Sequence, residues 1–260
     1  MSERVTIKVD HDVLRMPTIA LRGLVVFPNN VVHFEVGRSK SVAAVEWAMN
    51  NTNAVFLTAQ REMDTEEPGM GDLYPIGVVA EVRQVLRVSD DLVKVLVEGK
   101  YRAGLTALDT EGDFLQATVK PAPVRGLNDC DEIEVDAVMR SIREAFEEYL
   151  SLSPRLAKDV VYNILSCENA AQLCDYLPAN LLFRYQDKQS ILEEDTLMGR
   201  LEHILALLRR ECQVLQVEKE IDDKVNEQMD KNQRDYYLRE QMRAIADELD
   251  ETEDARAEAD

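Results

Sequence analysis

The sequence predicts an α+β chain in which strands and helices are segregated along its length. A small β-rich lobe is expected over residues 1–122, an α-helical bundle over 123–200 and one long helix over 201–250, followed by an acidic tail at 251–260. Three observations carry this. The first half consists of short β-branched or apolar runs punctuated by Gly, Pro and Asn. After Asp131 the apolar residues switch to helical spacing, and from Leu201 to Asp260 there is neither Gly nor Pro.

Within the lobe, Thr18–Leu21, Val25–Phe27, Val31–Val36 and Val55–Ala59 read as strands, broken by Gly23, Pro28-Asn29-Asn30 and Gly37. Ser39–Asn50 reads as a helix, with Ser39 or Ser41 as its cap and Val42, Val45, Trp47 and Met49 partly buried. The loop Arg61–Leu73, with its acids, Pro68, Gly69 and Gly71, reads as mobile. Ile76, Val78, Ala80 and Val82 alternate with their neighbours, as do Val93, Val95 and Val97, so an antiparallel hairpin is expected around Ser89-Asp90-Asp91. Arg102–Leu108 and Leu115–Lys120 predict a second hairpin around Glu111-Gly112-Asp113. Together these runs suggest a strongly twisted sheet or partly open barrel with one helix.

Pro121, Pro123 and Gly126 mark the change to helices. Val135, Val138, Met139, Ile142, Phe146 and Leu150 trace the face of one. A second carries Leu156, Val160, Val161, Ile164 and Leu165, with Pro154 at its start, and a third runs from Ala170 to Leu177, ahead of Pro178. The long helix buries Leu201, Ile204, Leu205, Leu208, Cys212 and Leu215 at its near end. Its middle, Asp222–Asp235, is polar on nearly every side apart from Val225 and Met229, and an apolar stripe returns at Tyr237, Leu238, Met242, Ile245 and Leu249. Roughly fifty helical residues span about 75 Å. A polar helix of that length bridges solvent or pairs with a partner. Tyr236, Tyr237, Leu238, Met242 and Ile245 are therefore the candidate intersubunit contacts.

The 260 residues carry 45% apolar side chains, enough for real cores, and a net charge of −20. Eight acids against one Arg in Asp247–Asp260 supply −7 of that total, and this end reads as solvated and disordered. A field of that sign opposes phosphate backbones and argues against nucleic acid as a partner. No signal or transit pattern and no run long enough to cross a bilayer is present, so a cytoplasmic location without a membrane partner is expected. Cys130, Cys167, Cys174 and Cys212 show no CxxC spacing and read as reduced core thiols.

Catalytic patterns are missing. Gly99-Lys100 is followed by Tyr101 and is no phosphate-binding loop, GxGxxG and GxSxG do not occur, and His11, His33 and His203 have no ligand spacing. Carboxylate pairs such as Glu147-Glu148 and Glu193-Glu194-Asp195 lie on helices among basic residues, as solvated faces do. No catalytic, cofactor-binding or metal-binding residue is assigned.

Several blocks, in order, resemble the amino-terminal region of the Lon ATP-dependent proteases. They are Leu21-Arg22-Gly23-Leu24-Val25-Val26-Phe27-Pro28, then His33-Phe34-Glu35-Val36-Gly37-Arg38, then Ile76-Gly77 and Val95-Leu96-Val97-Glu98-Gly99. Asp187-Lys188-Gln189, Leu192-Glu193 and Arg200-Leu201-Glu202 follow. The closing block, Gln233-Arg234-Asp235-Tyr236-Tyr237-Leu238-Arg239-Glu240-Gln241, is the most specific, and the likeness covers about Met16 to Leu249. The resemblance implies a PUA-like β lobe, a helical bundle and a long helix. It also implies a non-catalytic region of a hexameric machine that captures unfolded, damaged or degron-bearing proteins for an ATP-driven pore. In that family an ATPase module, which would use ATP and Mg, and a Ser–Lys protease module follow this region. The chain thus reads as a piece cut before the ATPase rather than a truncated relative. A stand-alone PUA-like module binding a ligand or RNA is the alternative. Where the family often has Gly after the closing Glu-Leu, Asp250 stands here, so the helix has no residue to stop it.

A binder of unfolded chains needs adaptable apolar surface rather than a polar pocket. Leu24, Val25, Val26 and Phe27, with Met70 and Leu73 on the following loop, are the candidate substrate contacts; core packing is the competing reading of the same residues.

Overall fold

A computed structural model describes residues 13–89, 92–126, 130–153 and 156–257. The expected turn at Asp90-Asp91 and the helix start at Pro154 lie outside the described residues. Packing divides the chain into two units, Met1–Arg209 and Arg210–Asp260.

The first unit opens with β1 (Leu14–Leu21), β2 (Val31–Val36), α1 (Ser39–Asn50), β3 (Ala54–Ala59), a 3-10 turn at Met70–Asp72, β4 (Ile76–Arg87), β5 (Val93–Asp109) and β6 (Gln116–Pro121). The strand order is β2-β5-β4-β3-β1-β6, and β5 also pairs with β6, so β1, β3, β4, β5 and β6 close into a ring. Among the described strands only β1 and β3 run parallel, joined through β2 and α1. Met16, Phe56, Leu73, Val79, Leu105 and Val119 meet in the core of this barrel.

Closure depends on β5. The sequence reads Val93–Val97 and Arg102–Leu108 as separate strands, but they form one 17-residue strand. Its first half pairs with β2, its second half with β6, and β4 lies along most of its length. Register shifts at Val79/Ala80, Val82/Gln84 and Leu105/Ala107 supply the bends that let so long a strand wrap a small barrel. Both expected hairpins, β4–β5 and β5–β6, are antiparallel.

Val25–Phe27 is not a strand. The chain leaves β1 through Gly23 at φ +64°, and the buried Val25, Val26 and Phe27 run irregularly beneath β5. The turn that follows them is held to β5 by Asn29 N–H donating to Gly99 O (2.9 Å) and Gly99 N–H donating to Asn30 O (2.9 Å). The approach is close enough that a Cβ at Gly99 would lie 2.2 Å from Phe27 O. Gly77 plays the same part inside the barrel, where a Cβ would lie 2.3 Å from Leu57 O.

Helix α1 has the expected bounds, but its cap is Arg38, which makes no side-chain capping bond, rather than Ser39 or Ser41. The helical part of the unit follows as α2 (Glu132–Leu152), α3 (Lys158–Ser166), α4 (Ala170–Asn180), α5 (Tyr185–Glu193) and the start of α6 (Leu197–Ala257). Asp131 caps α2 through Ile133 N–H (2.9 Å) and Asn169 caps α4 through Gln172 N–H (3.0 Å). Helix α4 runs through Pro178 instead of ending before it. Met139, Ile142, Phe146, Ile164, Leu173 and Leu177 are buried as the helical spacing predicts.

The second unit is the remainder of α6, continuous to Ala257. It thus takes in most of the stretch 251–260 that the sequence reads as disordered, because no Gly or Pro interrupts it. Every residue from Gln216 to Ile245 is exposed. Among the described residues no helix is long and apolar enough to cross a membrane.

Candidate functional site

The six candidate substrate contacts divide sharply by burial. Val25, Val26, Phe27 and Leu73 are core residues, with Phe27 fully enclosed. They cannot present surface to a ligand without unfolding the lobe, so core packing, the competing reading, holds for these four. Leu24 is half-buried and Met70 is 46% exposed. Met63, which the sequence reading passed over, is also exposed, and its sulfur lies 3.1 Å from where a Cβ on Gly23 would stand.

Leu24 lines one of two adjoining hollows, of about 300 and 390 Å³, that share Arg22, Arg38 and Ser41. The larger is walled by Lys40 and by Glu66, Glu67, Pro68 and Gly69, and the exposed Met70 is the next residue along the chain. The loop read as mobile is anchored at several points. Arg22 donates to Thr65 O (3.0 Å), Arg38 to Glu66 O (3.2 Å), Gln60 Nε2 to Thr65 O (2.8 Å) and Arg61 N–H to Asp72 O (2.8 Å). Arg38 also donates to Ala20 O, and Lys40 Nζ reaches Thr110 O (3.0 Å). Burial, aided by Arg22, holds the Arg38 guanidinium below its ordinary pKa. The result is a cleft with three cations tied to backbone carbonyls, acids on the facing loop, and flexible apolar side chains at its edge. Such a surface suits the varied side chains and free backbone of an extended polypeptide.

A second polar constellation lies where the barrel meets the helices. Arg200, 1% exposed, donates to Asp175 Oδ1 (2.7 Å), Ile191 O (3.2 Å) and Cys174 O (3.3 Å). Asn30 Nδ2 bridges Pro28 O and Asp175 O, while Gln189 Nε2 donates to Ile76 O (2.8 Å). Arg102, on β5, reaches only Glu193 O (3.3 Å), and its Nε and Nη1 meet no protein partner. Burial, then the neighbouring Arg200, lowers its pKa to about 10. These groups are enclosed and hydrogen-bond mostly to backbone, so they join the two halves of the unit and offer no access to a substrate.

Ser190 and His203 are brought together, with Oγ 3.2 Å from Nε2. The pair is not an activated nucleophile. Ser190 already donates its one hydrogen to Asp187 O (2.7 Å), so the imidazole is the donor in their contact. Among the described residues no cluster of His, Cys, Asp and Glu could hold a metal ion.

The intersubunit candidates are all open: Tyr236, Tyr237, Leu238, Met242 and Ile245 are exposed on α6, between 49% and 72%. Gln241 Nε2 donates to Tyr237 Oη (3.0 Å) along the helix.

Residues 15–210 match the family described as the ATP-dependent protease La (LON) substrate-binding domain, which takes in the barrel, the helices and the cleft. The chain belongs to this Lon family. It is 36% identical over 255 residues to the Lon protease of Clostridioides difficile, covering 97% of this chain and 32% of that protein. With the Lon protease of Escherichia coli K12 it shares 39% identity over 242 residues, covering 93% of this chain and 30% of that protein. The chain therefore spans about a third of the length of the curated relatives it matches. Its fold is similar to that of the N-terminal domain of a Mycobacterium avium complex Lon protease, with a TM-score of 0.61 at 19% identity, over 75% of this chain and 98% of that one.

Two kinds of residue in this Lon-family chain escaped the sequence reading. Met63 sits in an acid-rich loop opposite Gly23 and carries the same type of side chain as Met70. Arg102, Asp175 and Arg200 look like ordinary surface charges in sequence; one signal was available, since Asp175 stands inside the apolar run Leu173–Leu177.

Proposed function

We propose that this chain is the non-catalytic substrate-recognition and assembly region of a Lon-type ATP-dependent protease, capturing unfolded or degron-bearing protein segments for ATP-driven unfolding and degradation. The family match over residues 15–210 carries the reading. The cleft lined by Leu24, with the exposed Met70 next along the chain from its acidic wall, supports it, because it offers adaptable apolar side chains beside hydrogen-bonding groups rather than an enclosed small-molecule pocket. ATP and Mg belong to a partner ATPase module, peptide-bond hydrolysis to a Ser–Lys protease module, and further copies of the same protein complete a hexamer.

The test is direct binding of a fluorescently labelled, reduced and carboxymethylated protein, held permanently unfolded, with its native counterpart as control. Saturable binding of the unfolded form alone is expected. Leu24→Asp together with Met70→Asp should weaken it about tenfold, the loss of two apolar contacts of roughly 0.7 kcal/mol each, with an unchanged circular dichroism spectrum. Equal binding of the native and unfolded probes, or indifference to both substitutions, would overturn this reading.

A further inference from the structure

Arg22 and Arg38 line both hollows of the cleft, and Lys40 lines the larger. Among the described residues none of the three forms an ion pair. Each is bonded to backbone carbonyls alone: Thr65 and Glu66 on the loop, Ala20 on β1 and Thr110 just past β5. A chain with 50 acidic residues against 30 basic ones offers counter-ions freely, and Arg15, Arg83, Arg87, Lys94 and Lys100 of the same barrel each have one. The cations of the cleft are thus the exception. Two guanidiniums and an ammonium carry more N–H donors than these bonds use. Burial, then the like charge of Arg22, lowers the Arg38 pKa, and a carboxylate brought between the two guanidiniums offsets the second cause.

We propose that the cleft selects extended polypeptide segments in which an acidic side chain stands two residues from an apolar one. The carboxylate is held by Arg22, Arg38 and Lys40, and the apolar side chain lies in the smaller hollow against Leu24 and Phe34. This names the substrate class of the proposed function and rests on it. Leu24 and Phe34 are both half-buried where they line the smaller hollow. Glu35, at the same hollow, is already paired with Lys94 (3.2 Å) and leaves that side without a free charge. In an extended chain, side chains two residues apart turn to the same face, so a segment lying across both hollows presents one to each. Arg22 and Arg38 stand where the hollows meet. They therefore face the middle of such a segment, where a side chain supplies the carboxylate, and not its end.

Other occupants fit the same residues less well. An entirely apolar segment would cover the three cations without supplying a counter-charge, and burying an unpaired charge is costly. A nucleic acid would bring further phosphates against Glu66 and Glu67 on the facing loop and into the field of a chain with net charge −20. A single carboxylate on an otherwise neutral segment meets the cations and avoids both penalties.

Varying the ligand tests this with the protein unchanged. Short fluorescent peptides, acetylated and amidated, carry leucine and, two residues away in either direction, glutamate, glutamine or lysine in a glycine–serine chain. Fluorescence anisotropy with the whole 260-residue chain should rank glutamate about fivefold above glutamine, with lysine below both. The preference should shrink as salt rises, and replacing the leucine by serine should weaken the glutamate peptide as well. Arg22→Gln together with Lys40→Gln should bring the three peptides to within roughly twofold of one another, with an unchanged circular dichroism spectrum. Equal binding of the glutamate and glutamine peptides by the native protein, or binding of none, overturns the proposal. The proposed function falls with it only if the unfolded carboxymethylated protein is not captured either. A glutamine peptide with a free carboxyl terminus that matches the amidated glutamate peptide assigns the cations to chain ends and overturns the side-chain form. Tighter binding of single-stranded RNA than of the glutamate peptide overturns it too.

Discussion

Arg200 Nη2 lies 2.7 Å from Asp175 Oδ1, and both residues are buried. The pair ties α6 to α4 beside Cys174 and Ile191, whose carbonyls accept from Arg200 Nη2 and Nε. Arg102 stands nearby on β5 with a single long bond to Glu193 O. The two arginines differ in what they leave behind when removed. Arg200→Met strands a buried carboxylate and should cost about 3–5 kcal/mol. Arg102→Met removes a desolvated cation with two unpartnered nitrogens and should be neutral or stabilising by up to about 2 kcal/mol. Urea unfolding monitored by circular dichroism distinguishes them; equal destabilisation would show that Arg102 is held by more than the Glu193 contact.

The contrast marks how far this fold is legible in sequence. Periodicity locates nearly every element because burial imposes it: Ile142, Phe146 and Leu173 are buried where the helical spacing puts them, and α1 has the expected ends. Strand continuity is less legible. Gly99 looks like a break between Val97 and Arg102, yet it is the point where β5 passes over Phe27, a close approach visible only in three dimensions. An apolar run such as Val25–Phe27 has no local mark separating core coil from exposed contact, so four of the six substrate candidates prove to be interior. Buried charge is the least legible, because Asp175 acquires its partner from a helix 25 residues away.

Gly77 and Gly99 should be the least replaceable glycines of the barrel. Their Cβ atoms would strike backbone carbonyls at 2.3 and 2.2 Å, and backbone cannot turn aside as a side chain can. Gly77→Ala and Gly99→Ala should each lower stability by about 2–4 kcal/mol. Gly71→Ala, with nothing within 4 Å, should change it by less than about 0.5 kcal/mol. Thermal denaturation of the three variants decides, and a Gly99→Ala protein as stable as Gly71→Ala would contradict the close approach.

Cys174 links burial to pH. Its enclosure raises the thiol from 9.0 to about 12, so the folded state keeps a proton that the unfolded chain releases near pH 9. Stability from this group is fully present below pH 9 and is lost as pH rises toward 12. Cys174→Ala should therefore flatten the fall in stability over that interval, after a loss at neutral pH of about 1 kcal/mol for the vacated volume. In the native protein at pH 8, a maleimide should modify the half-buried Cys130 and Cys167 well before the buried Cys174 and Cys212. Modification of Cys174 at the rate of Cys167 would count against its enclosure.

The distal part of α6 should be the least protected helix at low protein concentration. Between Asp222 and Asp235 every side chain is exposed. The local support seen there is the Lys231–Glu227 ion pair at 2.8 Å and the Gln228–Asn232 contact at 3.2 Å. Exposed pairs at i,i+4 spacing contribute only about 0.3–0.5 kcal/mol each, far too little to hold several turns against fraying. Hydrogen exchange over 222–235 should therefore be fast in dilute solution, and should slow as concentration rises where the proposed assembly brings further copies onto this helix. Amides of the barrel and of α2 should show no such dependence. If exchange over 222–235 proves slow and indifferent to concentration, the helix is stabilised within a single chain and contact between copies is not the source of its order.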